Sequence, residues 1–337
     1  MIKVGIIGFG GIAQSAHLKP YLNLEEKGKV KIVAVCDVDP KKFEKKIEIN
    51  TGSTNASLKT NVRKYTDWKE LISNEELDMV DVCVPTFLHK EITVKALDCG
   101  LNVLCEKPMS LKYDDCKEMC EVSIRSGKKL MIGQCLRFGP AYVYLKKLIE
   151  EGTYGKIKTG VFQRLSPPPV WGWDNWFMDY QRSGGCLLDL HIHDIDMVRY
   201  LWGEPNAVSC CTTDVYSKKD IAHSRLMYDD FSVLAIGDWT RMGLPFTRKY
   251  EVAFENATVI YDEKGVNVYP RNGEAFAPEI DSTPAHQAEI EFFVKCIEEG
   301  KEVTGNIPED SALSVKLVNT LAESSDKNGE FVDFITE

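Results

Sequence analysis

The chain has 337 residues, 44% hydrophobic and 27% charged, the ordinary balance of a globular protein long enough for two cores. Its 41 basic and 51 acidic residues leave a net charge of −10, which argues against a nucleic-acid or anionic-membrane partner. No apolar stretch approaches membrane-spanning length, and a strand starting at residue 2 leaves no room for a signal peptide, so a cytoplasmic protein is expected.

In chain order, residues 1–7 form an apolar run with too little chain before it for a helix, and so predict a buried strand. It leads into Gly8-Phe9-Gly10-Gly11-Ile12-Ala13, the spacing G-x-G-x-x-A. A second apolar strand over 31–36 ends on Asp37. Each part suits a dinucleotide site. Gly8 permits the tight turn, Gly10 lets the backbone approach a pyrophosphate, and Ala13 lets helix pack on strand. The helix N-terminus offers free N–H groups to phosphate. Asp37 would accept hydrogen bonds from the ribose hydroxyls and repel a 2′-phosphate, which favours NAD over NADP. Lys41 and Lys42 are the groups that would oppose that preference.

Asp39-Pro40 predicts a capped helix running to about residue 49, followed by a polar surface loop over 50–61. Residues 62–65 read as a short strand, and Thr66 as the cap of a helix over 67–72. The strand 79–84 ends at Pro85-Thr86, with His89 behind it, and a helix from about Leu88 stops at Gly100. The strand 101–105 ends at Glu106-Lys107-Pro108. Ser110 is expected to cap the next helix, and 129–133 form a sixth strand ending beside Gln134. Strands and helices in alternation imply a parallel sheet with ligands at the carboxyl ends of its strands.

After Gly155 the pattern changes. Residues 156–166, 206–217, 224–240 and 247–269 are rich in Val, Thr, Tyr and Phe with partial alternation, which predicts a large, mainly antiparallel open sheet. Helices over 285–299 and 309–325 close the chain. The expected organisation is an α/β dinucleotide-binding domain over 1–123 and an α+β domain over 124–337, with the helix at 305–330 packing back onto the first. Of eleven cysteines, most lie in apolar runs and none forms C-x-x-C, so buried free thiols are expected.

Two places carry chemistry. Lys107 sits at a strand's carboxyl end on the cofactor side, fixed between an acid and a proline. Residues 184–196 read Gly-Gly-Cys-Leu-Leu-Asp-Leu-His-Ile-His-Asp-Ile-Asp. If Gly184-Gly185 opens a helix, Asp189 and His193 share one face, an acid one turn from an imidazole. A structural hydrogen bond between them is the alternative reading. His191 and His193 would point about 200° apart on such a helix, so no metal site is expected.

The G-x-G-x-x-A turn, Asp37, Pro85-Thr86-Phe87-Leu88-His89, Glu106-Lys107-Pro108 and Gly-Gly-x-x-x-Asp-x-x-x-His together resemble the Gfo/Idh/MocA oxidoreductases, along the whole chain. The resemblance implies a Rossmann domain, an NAD cofactor (NADP second) and a catalytic trio of Lys107, Asp189 and His193. His193 would take a proton from a substrate hydroxyl as hydride leaves the same carbon. Lys107 would stabilise the developing alkoxide, and Asp189 would hold substrate and lysine in place. It implies cofactor contacts from Gly8, Phe9, Gly10, Gly11, Ile12, Asp37, Pro85, Thr86, His89, Glu106, Lys107 and Gln134. Arg137 follows the sixth strand, where this family often places substrate-facing groups.

A tryptophan-rich loop over 167–176 precedes Asp189. Trp171, Trp173 and Trp176, with Asp174 and Asn175, would suit a sugar ring, while a packed loop cluster or subunit contact is the competing reading. Together these features imply a dehydrogenase of a sugar, polyol or sugar derivative. The alternatives are an NAD-dependent glycosidase using transient oxidation, a non-catalytic NAD-binding regulator, and a reductase of another carbonyl. Net negative charge disfavours strongly anionic substrates. A homodimer or homotetramer through the open sheet is expected.

Overall fold

The computed structural model describes residues 1–44, 49 and 56–336. The first half alternates β1 (Ile2–Ile7), α1 (Leu18–Glu26), β2 (Val30–Cys36), β3 (Arg63–Tyr65), α2 (Trp68–Asn74), β4 (Met79–Val82), α3 (His89–Asp98), β5 (Asn102–Glu106), α4 (Tyr113–Ser126) and β6 (Leu130–Gly133). The six strands form one parallel sheet in the order β3-β2-β1-β4-β5-β6. Strand order reverses at β1, so a crevice opens at the carboxyl ends of β1 and β4, the usual ligand position in such sheets. The sixth strand, β6, pairs with β5 and completes this sheet beyond residue 123. The α/β pattern continues for one more strand before the antiparallel half begins.

Local starts differ from expectation in three places. The cap of α2 is Asp67, whose carboxylate accepts the Lys69 N–H at 2.8 Å, rather than Thr66. Ser110 lies three residues before α4, whose cap is Lys112, and its hydroxyl turns to Asp115 instead. Asp39 caps a single 3₁₀ turn, Pro40–Phe43; the rest of the helix expected to residue 49, and much of the loop after it, lie outside the described residues.

The second half contains α5 (Pro140–Glu150), β7 (Ile157–Leu165), α6 (Tyr180–Ser183), α7 (Gly185–Asp189), α8 (Ile192–Trp202), β8 (Ala207–Thr213), β9 (Ile221–Met227), β10 (Ser232–Asp238), β11 (Thr247–Phe254), β12 (Ala257–Asp262), β13 (Gly265–Pro270), α9 (Ala285–Glu299), α10 (Pro308–Asp326) and β14 (Val332–Asp333). Its eight strands lie in the order β13-β12-β11-β7-β10-β9-β8-β14. Only β7 and β10 pair in parallel. Strand alternation sets its faces. In β11, Tyr250 and Val252 are fully buried against the helices while Lys249 and Glu251 are exposed. The apolar run at 247–269 therefore splits into three strands separated by tight turns.

The halves share one core. Residues from β4, β5 and α3 pack continuously with residues from α7, α8, β10 and α10. The helix α10 joins them: Asn319 accepts the Tyr113 N–H and donates to the Leu111 carbonyl, both at 3.2 Å. All eleven cysteines are free thiols, nine of them buried. No described helix is long and apolar enough to cross a membrane.

Candidate active site

A cavity of about 480 Å³ lies between the halves, lined by the strand ends of the first sheet and the helix-facing side of the second. That volume suits a small organic ligand. One end is the glycine turn. Gly8 holds φ at +90°, and a Cβ there would lie 2.6 Å from the Cys83 carbonyl group, so both conformation and space require glycine. At Gly10 a Cβ would meet only Lys42 Nζ, at 3.9 Å, so its backbone is open to a close ligand. Asp37 directly follows β2 on the cavity wall, with one oxygen accepting the Asp39 N–H at 3.0 Å and the other 3.3 Å from Lys42 Nζ. Gly11, Ile12, Pro85, Thr86 and Glu106 also line the cavity. An open glycine backbone, a helix start and an acid on the next strand fit a dinucleotide, although Lys42 offsets part of the charge that Asp37 would set against a 2′-phosphate.

Four residues expected at the site point elsewhere. Phe9 is buried against Phe43, and its N–H is already bonded to the Cys36 carbonyl at 3.2 Å. Gln134 is buried and off the cavity wall. His89 is buried with its ring nitrogens 2.8 Å from the Pro108 carbonyl and 2.9 Å from the Val84 carbonyl, so it ties two strand ends together and is not on the cavity wall. Arg137 is buried and bonded through Nε and Nη2 to Asp196 at 2.9 and 2.6 Å, and through Nη1 to Asp310 at 2.5 Å. It anchors α8 to α10 and is not on the cavity wall.

The trio does meet. Lys107, Asp189 and His193 all line the cavity. Lys107, before a cis peptide bond to Pro108, places Nζ 3.4 Å from the Asp189 carboxylate and 3.0 Å from its backbone carbonyl. Asp189 and His193 do not share one helix, as the spacing predicted. Asp189 ends α7 and His193 lies in the first turn of α8. The His191 N–H reaches back to the Cys186 carbonyl, and the His193 N–H turns to Leu190, so the Asp189 carbonyl is left for Lys107.

The electrostatics favour proton transfer. Burial, reinforced by the charges of Lys107 and Arg164, holds the His193 imidazole well below the usual histidine range. Its Nδ1 is buried with no hydrogen-bond partner among the described residues. Burial pushes the Asp189 carboxyl up, opposed by Lys107. A neutral imidazole, an amine donor and an acid in one cavity can remove a proton from an alcohol and steady its oxygen. His191, by contrast, points into the second sheet and bonds the Ser224 hydroxyl at 2.8 Å.

The tryptophan loop divides. Trp176 stacks on Phe177 with centroids 4.0 Å apart and is nearly buried. Trp171 packs edge-on against Phe177, and its ring lies 3.3 Å from where a Gly11 Cβ would stand, so it covers the nucleotide turn. Trp173 is the exposed member at the rim. Asp174 turns away to pair with Arg182 at 2.9 Å.

Sequence reasoning missed several residues. His17 lies in a π turn, Ala13–His17, that begins the first helix, and its ring nitrogens sit 2.8 Å from Asp81 and 2.9 Å from Glu106. Burial lowers its affinity for protons, but Asp81 and Cys83 outweigh that and hold it charged, while the Glu106 carboxyl, bonded to it, falls to about 2 despite burial. Asp81 inside an apolar strand was the available signal. Arg164, Trp239, Phe246, Arg248 and His286 complete the substrate end. They come from β7, β11, α9 and the loop between β10 and β11, and no local motif marks them.

The oxidoreductase family GFO_IDH_MocA, described as an NAD-binding Rossmann fold, matches residues 2–134, and the GFO/IDH/MocA C-terminal domain matches residues 142–260. The chain is similar to the 2,7-anhydro-N-acetylneuraminate hydratase of Escherichia coli (strain K12), with 31% identity over 210 residues, 60% of this chain and 50% of that protein. The match thus spans half the length of that relative. It is also similar to the inositol 2-dehydrogenase of Rhizobium meliloti (strain 1021), with 27% identity over 322 residues, 90% of each chain. Its fold matches that of a levoglucosan dehydrogenase in complex with NADH and levoglucosan, with a TM-score of 0.83, 20% identity and coverage of 98% and 99%. The chain belongs to the Gfo/Idh/MocA family of NAD-binding oxidoreductases.

Proposed function

We propose that this protein is an NAD-dependent dehydrogenase of a sugar, polyol or sugar derivative. The observation that carries the reading is the meeting of Lys107, Asp189 and His193 in the cavity that begins at the glycine turn. When bound, the nicotinamide supplies the hydride acceptor or donor. Gly8, Gly10, Gly11 and Asp37 would hold the dinucleotide. His193, neutral and on the cavity wall, takes the proton from the substrate hydroxyl. The Lys107 ammonium donates to the same oxygen as negative charge grows on it. Asp189 orients Lys107 through two acceptors and offers its remaining carboxylate capacity to a neighbouring hydroxyl. Trp171 and Trp173 exclude water and face the ring. The exposed face of the second sheet would pair with another copy of the chain.

The deciding experiment is a panel of polyols, aldoses and glycosides incubated with NAD, following NADH absorbance together with product analysis. Net NADH formation from a free polyol or sugar supports the proposal. A second reading, favoured by the hydratase among the relatives, is a reaction with no net oxidation, in which hydride is taken and returned. Product formation without net NADH would establish that reading instead.

A further inference from the structure

Of the charged side chains on the cavity wall, one has no ion-pair partner among the described residues. Asp37 faces Lys42 at 3.3 Å, and Glu106 faces His17 at 2.9 Å. Lys107 lies beside Asp189, and Arg164 is bonded to both Asp194 oxygens at 2.9 Å. Arg248 is the remaining charged group on the wall. It is exposed, and its side chain bonds from Nε to the neutral Tyr261 hydroxyl at 3.1 Å. It forms no ion pair among the described residues.

Its position sharpens the point. In the antiparallel pairing of β11 with β7, Arg248 stands directly opposite Arg164. Strand alternation puts it on the same face as Tyr250, toward the helices and the cavity. Two like charges opposite one another destabilise a strand pair. Asp194 neutralises Arg164, which leaves the Arg248 guanidinium as the unpaired charge of the two on the cavity wall. Arg248 is also near enough to contribute to the lowered proton affinity of both His193 and His286.

We propose that Arg248 binds a carboxylate of the substrate, so that the favoured substrate is an acidic sugar derivative. This rests on the dehydrogenase reading above and narrows its substrate class. One unpaired guanidinium matches one carboxylate, which favours a carboxylate over a dianionic phosphate. A guanidinium presents its donors in a planar fork that fits a carboxylate. The protein's overall charge of −10 argues the opposite way, but the field inside the cavity is set by the groups on its wall.

The test is calorimetric titration of the NADH-loaded protein with matched pairs: glucuronate and glucose, galacturonate and galactose, N-acetylneuraminate and its methyl ester, with glucose 6-phosphate as the phosphate arm. At least one acid should bind about 10- to 100-fold more tightly than its neutral partner, the range of a charge-assisted hydrogen bond. Arg248→Met should bring that ratio near one, while Arg248→Lys should keep part of it. A wild-type protein with no acid preference, a preference that survives Arg248→Met, or tighter binding of glucose 6-phosphate than of every carboxylate would overturn the proposal. NADH absorbance, read in parallel, separates the two readings. Acid preference without turnover leaves Arg248 in place and removes the dehydrogenase. Turnover of neutral sugars without acid preference does the reverse.

Discussion

The Lys107 ammonium lies 3.0 Å from the backbone carbonyl of Asp189, an oxygen that an unbroken helix would have bonded to the His193 N–H. The break between α7 and α8 therefore does two things at once. It releases an acceptor that fixes the lysine, and it re-aims His193 into the cavity.

Lys107→Ala should lower kcat by about 10²–10³-fold, the usual loss when one donor to a developing oxyanion is removed. NAD affinity, measured by fluorescence titration, should persist, because the glycine turn and Asp37 are untouched. Surviving turnover would remove Lys107 from the mechanism.

The His193 imidazole titrates well below 6.5, so it is neutral across the physiological range. The acid limb of kcat/KM for oxidation should therefore lie below about pH 6.5. Its depressed affinity also means that the unfolded chain binds the extra proton, so this residue costs stability as pH falls below about 6.5. His193→Asn should reduce kcat by about 10²–10⁴-fold. An acid limb above pH 6.5 in the wild type would argue for a different base.

His17→Ala leaves Asp81 and Glu106 buried without their shared cation and should cost about 3–5 kcal/mol in urea unfolding. His17 is held above its usual 6.5, so its contribution is complete below that pH and fades as pH rises through the folded value. Glu106, lowered from 4.5 to about 2, contributes above 4.5 and loses this as pH falls toward 2. The difference between wild type and variant should peak between these limits. A pH-independent difference would mean that His17 is only packing.

Asp37→Ala should weaken NAD binding about 10- to 100-fold through lost charge-assisted bonds. NADP binding should improve, since Lys42 is freed to meet a 2′-phosphate. Equal losses for both cofactors would show that Asp37 supports the turn and does not read the ribose.

Sequence and structure divide along sequence distance. The glycine turn, Asp37, the strand ends at Pro85 and Lys107, and the Gly-Gly-x-x-x-Asp-x-x-x-His run were legible because each lies within a few residues of the strand or helix that creates it. Those local rules determined a Rossmann half, its cofactor, an antiparallel second half and the candidate trio. Arg137 and His89 misled because a polar side chain at a strand end can turn either to ligand or to a buried partner. Asp196 and Asp310, brought in by α8 and α10, decided the first. His17 with Asp81 and Glu106, and Arg248 opposite Arg164, join residues separated by dozens of positions. Which charges remain unbalanced in the cavity depends on strand register and helix packing, and only the tertiary structure decided that.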